Sequence, residues 1–352
     1  MTVRDMVTLD DDSLEAVNDY YYEQHWSDGK PIIPPTQARV EAMLSRTDLA
    51  ADVVLGVMGP SWREASVHHV AVNAVMAGCR PEYFPVVLAG IEAVLDPALN
   101  LVGTQATTNP AGVMLVVNGP LARELDINAG FNVFGQGWRA NATIGRALRL
   151  CMINIGGGLP GISDMSPLGN PNKFGSCIAE NEAQSPWEPL HVERGFTASA
   201  STVSAIACTA PQNIIVRDAG AESILRQIAG AMQYPGSNIL HFIMEPVVVL
   251  GPHHAKHIAA GGFDKAAVKR FLWEHAKIDT ARLEPIDRAA ILRTKVPALR
   301  DQDGRTMAYA TEGPDTMTVL VAGGDVGPHS AIMQTFNGTH VVTRAVRQRW
   351  AT

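Results

Sequence analysis

Apolar positions along the chain change period several times, and each change marks a predicted element. Leu14, Val17 and Tyr21 fall on one face of a helix predicted over Asp12 to Gln24, with Ser13 placed to cap it. The pattern breaks at Ser27-Asp28-Gly29-Lys30-Pro31-Ile32-Ile33-Pro34-Pro35-Thr36. Prolines at this density forbid a helix and hold the chain extended. Thr36 then caps a second helix to about Leu44. Residues 1–50 therefore read as an N-terminal helical and Pro-rich arm that wraps onto a larger body.

From Asp52 onward, short unbroken apolar runs appear. Val53 to Met58 reads as a buried strand ending at Gly59-Pro60. Met114 to Val117 leads to Asn118-Gly119-Pro120, and Val247 to Leu250 leads to Gly251-Pro252. Met317 to Ala322 leads to Gly323-Gly324-Asp325-Val326-Gly327-Pro328. A strand followed by Gly-Pro thus recurs, and helical patterns follow at least the last two. Gly permits the sharp turn, and Pro suits a first helical turn, where its missing N–H costs nothing. Helical periodicity also covers Val67 to Met76, Arg139 to Ile155, Glu222 to Met232 and Asp264 to Lys277. Strands alternating with helices predict an α/β fold of mixed sheets with flanking helices, in two closely packed lobes. Leu159 to Pro189, rich in Pro, Gly, Asn and Ser, interrupts the alternation. A boundary near it gives lobes at 51–165 and 166–352.

Composition narrows the class. Of 352 residues, 46% are hydrophobic and 18% charged, against about 25% charged in typical domains. Such a chain buries a core, which excludes disorder for most of it. A net charge of −7 and the lack of a long basic run exclude nucleic acid as the main partner. No apolar run approaches the roughly 18 residues of a membrane span. The start, Met-Thr-Val-Arg-Asp and then Asp10-Asp11-Asp12, is unlike a signal peptide. Four cysteines without C-x-x-C spacing read as free thiols. The expectation is a cytoplasmic, homo-oligomeric enzyme with a small-molecule substrate, no cofactor, and neither a nucleic-acid nor a membrane partner.

Candidate chemistry centres on two thiols. Cys177 stands in Lys173-Phe174-Gly175-Ser176-Cys177-Ile178-Ala179-Glu180-Asn181-Glu182. A helix opened by Ser176-Cys177 would set the sulfur at the positive end of a dipole and favour the thiolate. Glu180 would lie one turn away, placed to move the proton. Cys79 follows the helix-ending Gly78 and precedes Arg80, whose guanidinium favours a thiolate or an anionic substrate. For each thiol the plain alternative is a small buried filler. Cys151 and Cys208 read as core.

Substrate-positioning candidates are Asn109, Lys173, Arg80, Arg139 and Asn141. Arg139 and Asn141 follow the Gly-rich entry Gly135-Gln136-Gly137, with Arg146 on the same helix face, a setting that suits a phosphate or carboxylate. Gly324 lies at a strand end, where open α/β sheets bind ligands. The competing enzyme class is a metal-dependent hydrolase or lyase using His253 and His257, i and i+4 on a helix. Lys256 sits beside them and no Glu completes H-E-x-x-H, so no metal ligand is assigned. His329 follows a Gly-Pro as His253 does, and both are expected on one sheet edge. The non-enzyme alternative is a binding or oligomer-forming protein whose Lys30 to Thr36 arm embraces a partner.

Phe174-Gly175-Ser176-Cys177 resembles the motif of a bacterial (seleno)protein family named for its U-G-S-C sequence. Pro186-Trp187 and the stretch from Leu250-Gly251-Pro252 to Trp273 are similar to that family too. Phe174 stands where selenocysteine would be. The resemblance therefore implies a redox centre that is halved here, with Cys177 alone carried over.

Overall fold

The computed structural model of the chain describes residues 7–217 and 220–347. The opening Met-Thr-Val-Arg-Asp lies outside the described residues. The N-terminal arm forms as its caps dictate. Ser13 Oγ accepts the Ala16 N–H at 3.2 Å and starts α1 (Leu14–Glu23). Thr36 is the N-cap residue of α2 (Gln37–Leu44). Between them the Pro-rich segment is tied to the body. Asp28 takes two hydrogen bonds from Arg146, at 2.9 and 2.8 Å, and Arg146 also reaches the Lys30 and Pro31 carbonyls.

The hairpin β1 (Val54–Met58) and β2 (Arg63–Ser66) follows. Val54 and Val57 are 45% and 50% exposed, so β1 is not the buried strand its apolar run predicted. A two-stranded ribbon has too few neighbours to cover both faces. The chain continues through α3 (Val67–Ala77), α4 (Phe84–Val94), α5 (Leu101–Gln105), β3 (Gly112–Asn118), α6 (Pro120–Glu124) and α7 (Arg139–Asn154). Next come β4 (Ser176–Ala179), α8 (Leu190–Glu193), β5 (Thr202–Cys208) and β6 (Gln212–Ile215). The second half holds α9 (Ala221–Met232), α10 (Asn238–His241), β7 (Val247–Leu250), α11 (Pro252–Ala260) and α12 (Lys265–His275). It ends with β8 (Lys277–Asp279), α13 (Pro285–Thr294), β9 (Leu299–Gln302), β10 (Arg305–Tyr309), β11 (Thr318–Val321), β12 (His329–Met333) and β13 (Val342–Ala345). Asp264 caps α12 as predicted, accepting the Ala267 N–H. Gly327-Pro328 does not open a helix; it leads into β12, whose backbone is claimed by both β7 and β6.

Two four-stranded sheets form the centre, in the orders β13-β5-β3-β4 and β11-β7-β12-β6. They share one plan. β4 is parallel to β3, β5 antiparallel to β3, and β13 antiparallel to β5. Likewise β11 is parallel to β7, β12 antiparallel to β7, and β6 antiparallel to β12. Even the registers coincide. Val117 pairs with Ala179 and Val203, as Leu250 pairs with Val321 and Ser330. Ala205 sits between Leu115 and Val342, as Ile332 sits between Val248 and Gln212. Gly119-Pro120 and Gly251-Pro252 end the two equivalent strands and open α6 and α11.

The fourth strand of each sheet is exchanged. From β5 the chain passes to β6 in the second sheet, and from β12 to β13 in the first; the two crossings meet at a Cys208–Thr335 bridge. The boundary expected at residue 165 therefore falls inside the first sheet, which takes strands from both assigned lobes. Long-range pairing, invisible in local composition, decides this.

Strand alternation sorts the core into layers. Met114, Val116, Ile178 and Ile206 face Val247, Val249, Leu320 and Met333 between the sheets. The outer face of the first sheet, with Leu115, Val117 and Ala205, is covered by α3, α4 and α7. That of the second, with Val248, Leu250 and Ile332, is covered by α9, α11 and α12. The result is helix, sheet, sheet, helix. Strands buried on both faces read as continuous apolar runs, as β3 and β7 do. Among the described residues no single helix is long and apolar enough to cross a membrane.

Candidate functional site

The two candidate thiols lie in the core. Ser176-Cys177 opens β4, not a helix, so no helix dipole acts on the sulfur. Cys177 packs into the apolar layer under α7 and is 3% exposed. Glu180 follows at an odd strand spacing and points to the opposite face, so it does not serve Cys177. Burial drives the Cys177 thiol far up from its ordinary value. Cys79 is also buried, with Sγ 3.3 Å from the Thr143 carbonyl. Burial pushes it up to about 12, outweighing the pull of Thr143, Arg139 and Arg146. Cys151 and Cys208 are fully buried, as the sequence implied.

Most positioning candidates are structural ties rather than one pocket. The Asn109 amide bonds to Asn238 at 2.9 Å. Arg139 holds the Gly78 carbonyl at 3.0 Å. Asn141 clamps Asn128, accepting its N–H at 2.7 Å and donating to its carbonyl at 3.0 Å. Lys173 pairs with Asp164 at 2.6 Å. Arg80 is exposed. Phe174, at the selenocysteine position of the resembled motif, is 49% exposed, with Lys30 Nζ 4.2 Å above its ring. The His253 and His257 rings lie 4.5 Å apart. Among the described residues no group of three His, Cys, Asp or Glu side chains is placed to hold a metal.

Gly324 fares differently. It lines a cleft of about 560 Å³ beyond the carboxyl ends of the parallel strands β7 and β11. That position follows the rule for open α/β sheets. Val249, Ala322 and Ala331 give the cleft an apolar floor. Phe131 and Phe134, on the loop that Asn141 clamps, form one wall. The Phe131 ring lies against Gly324, 2.4 Å from where a Cβ would stand, so only glycine leaves room for it. His329 and Asn213 supply the polar side. His329 Nδ1 donates to Asn213 Oδ1 at 3.0 Å, which in the neutral ring puts the acceptor lone pair on Nε2. Lys256 on α11 forms an ion pair at 2.5 Å with Asp325 in the loop that follows β11. Sequence reasoning placed His329 at a sheet edge but missed Asn213, which arrives on the exchanged strand β6.

A second missed pair lies behind the cleft. His254 Nε2 donates to the Val216 carbonyl at 3.0 Å, leaving Nδ1 to accept from Ser330 Oγ at 2.7 Å. The distances would suit a nucleophile and its base. Ser330 borders the cleft, but strand alternation turns its side chain away from Ala331 and toward α11, where Oγ is taken up by His254 and the Gly251 N–H. The pair is a strut between α11 and β12, and burial holds the His254 imidazole below its ordinary value.

The corresponding place in the first sheet is filled instead of open. By strand register, Asn118, Glu180 and Thr202 match Gly251, Ala322 and His329. Glu180 Oε2 accepts from Asn118 Nδ2 at 2.6 Å and from the Leu190 N–H at 2.7 Å. Among the described residues, Glu180 Oε1 and both nitrogens of the fully buried His191 have no hydrogen-bond partner, and the Glu182 carboxylate stands 3.8 Å from His191 Nδ1. Burial raises the Glu180 carboxyl above its ordinary value, against the opposing pull of Lys265. A raised carboxyl contributes stability that is present below the unfolded value and lost as pH rises through the folded one. Glu180→Gln keeps the shape and removes the buried charge. It should stabilise the protein by about 1–3 kcal/mol at pH 8 and by much less at pH 5, read by denaturant unfolding. An equal gain at both pH values would contradict the raised carboxyl.

Comparison with known proteins finds no matching family model, no matching curated protein and no matching solved structure.

Proposed function

We propose that this protein is an enzyme of small-molecule metabolism whose substrate lies in the cleft at the ends of β7 and β11. His329, oriented by Asn213, acts there as general base and acid. The observation that carries the reading is the His329–Asn213 pair in a cleft whose lining, Asn132 and Ser330 apart, is otherwise apolar or glycine. A ring nitrogen with a free lone pair, its partner nitrogen held by an amide oxygen, is the arrangement general-base chemistry uses. The apolar floor suits a short carbon body. Gly251 and Gly323 carry no side chain to keep a polar or anionic head from the backbone, whereas Gly324 is covered by the Phe131 ring. The thiol reading gains no such support, because no cysteine lines the cleft.

The test is a turnover screen, followed by NMR, over small hydroxy, keto and carboxylic acids and their esters. For any substrate found, His329→Gln should lower kcat about 10²–10⁴-fold. Gly324→Leu should raise KM by displacing Phe131, and Cys177→Ser should change neither constant. Turnover that survives both cleft substitutions, or that vanishes only with Cys177→Ser, would overturn the proposal.

A further inference from the structure

We propose that the second lobe carries a separate site for a small phosphate-bearing ligand, in a cavity between the end of α9 and β8. The cavity holds about 330 Å³. Three basic side chains from three different elements line it: His275 from the end of α12, Lys277 from β8, and Arg282 from the turn after β8. No Asp or Glu lines it. Each basic group has capacity left. His275 Nδ1 is held by the Phe271 carbonyl at 2.8 Å, and Nε2 makes no hydrogen bond among the described residues. Lys277 Nζ donates to Gln302 Oε1 at 2.9 Å and to the Tyr309 hydroxyl at 3.3 Å, so one of its three donors is unused. Arg282 makes no hydrogen bond or ion pair among the described residues and is exposed. Its nearest acidic neighbour along the chain, Asp279, is engaged by the Ala281 N–H and faces Arg305 at 3.9 Å.

The independent observation is Gln233. It caps the end of α9, lines the cavity, and is 8% exposed. Among the described residues, neither its buried amide oxygen nor its buried amide nitrogen has a hydrogen-bond partner. A buried amide left wholly unpaired is rare and costly, and a ligand that brings both acceptors and a donor relieves it. A phosphate monoanion or monoester offers several acceptor oxygens and an O–H, and matches the surrounding cations. A purely apolar ligand would leave the Gln233 amide as it is. The site does not share a residue with the cleft at His329.

Titration calorimetry on the full chain at constant ionic strength tests this, with inorganic phosphate and glycerol 3-phosphate as probes and chloride as the control. Both probes should bind saturably. Arg282→Gln, an exposed change, should weaken them at least tenfold, and His329→Gln should leave them unchanged. Gln233→Leu should abolish binding, yet the ligand-free variant should melt no lower than the wild type, since it has lost only unpaired groups. The proposal fails if phosphate binds no better than chloride, or if malonate binds where phosphate does not. It also fails if Gln233→Leu lowers the melting temperature while phosphate binding persists in Arg282→Gln.

Discussion

All four cysteines of the native protein should react with a disulfide reagent such as dithionitrobenzoate at least about 10³ times more slowly than a free thiol. One pKa unit is a tenfold change in thiolate at neutral pH. Cys79 and Cys208, the less shifted pair, are already raised from 9.0 to about 12. Cys151 and Cys177 are raised further, and none of the four is exposed. Burial adds a second barrier, because the reagent must wait for local opening. In guanidinium all four should react at once. The experiment bears directly on chemistry. A thiolate nucleophile is partly exposed and sits near positive charge, whereas these sulfurs are buried, and for Cys79 burial outweighs the pull of Arg139 and Arg146. A single fast-reacting cysteine in the folded protein would restore the thiol hypothesis and name its residue.

Lys295→Met should destabilise the protein by about 3 kcal/mol or more, although it replaces a buried cation with an apolar side chain of similar length. Lys295 is completely buried and, among the described residues, has no carboxylate paired with it. Its ammonium donates to the carbonyls of Ile239, Phe242 and Ala310, the last two at 2.9 and 3.1 Å. Methionine would strand all three acceptors, and each unsatisfied buried group costs about 1–3 kcal/mol. The same burial pushes the ammonium down from 10.5 to about 7. A folded value below the unfolded one contributes stability that is full above the unfolded value and lost as pH falls through the folded one. On this group's account, wild-type stability should decline as pH drops from about 10 to about 7. The variant should lack that slope. Denaturant unfolding at pH 7.5 and 9.5 checks both statements; parallel pH dependence in the two proteins would mean that Lys295 is not shifted.

The parts of the fold legible in the sequence are those set by neighbours along the chain. Ser13 and Asp264 cap the helices that they were expected to cap, and α7 spans nearly the predicted Arg139 to Ile155. The parts that were not legible depend on distant partners. Ser176 to Ala179 is too short to show a period, and it became a strand because Met114 to Val117 pairs with it. His329 to Met333 follows Gly-Pro, a helix signal, yet two strands from other parts of the chain take up its backbone. The site divides the same way. The place of Gly324 at a strand end, beside a cleft, was readable from the Gly-rich run that follows an apolar one. Asn213 was not, because nothing local says that β6 will lie beside β12. The charged residues singled out near turns proved to be fastenings: Arg139 and Lys173 hold loops, and Arg146 holds the arm.

The exchanged edge strands have a consequence for cooperativity. Each sheet owes its outermost strand to the stretch of chain that leaves the other sheet. Removing either half would leave the other with a three-stranded sheet and a bare row of backbone donors and acceptors, the kind of edge that recruits foreign strands. The layer between the sheets would open at the same time. The molecule therefore has no autonomous half. Its two lobes are alike in plan, but each is finished only by the other, as two people might each hold the far end of the other's rope.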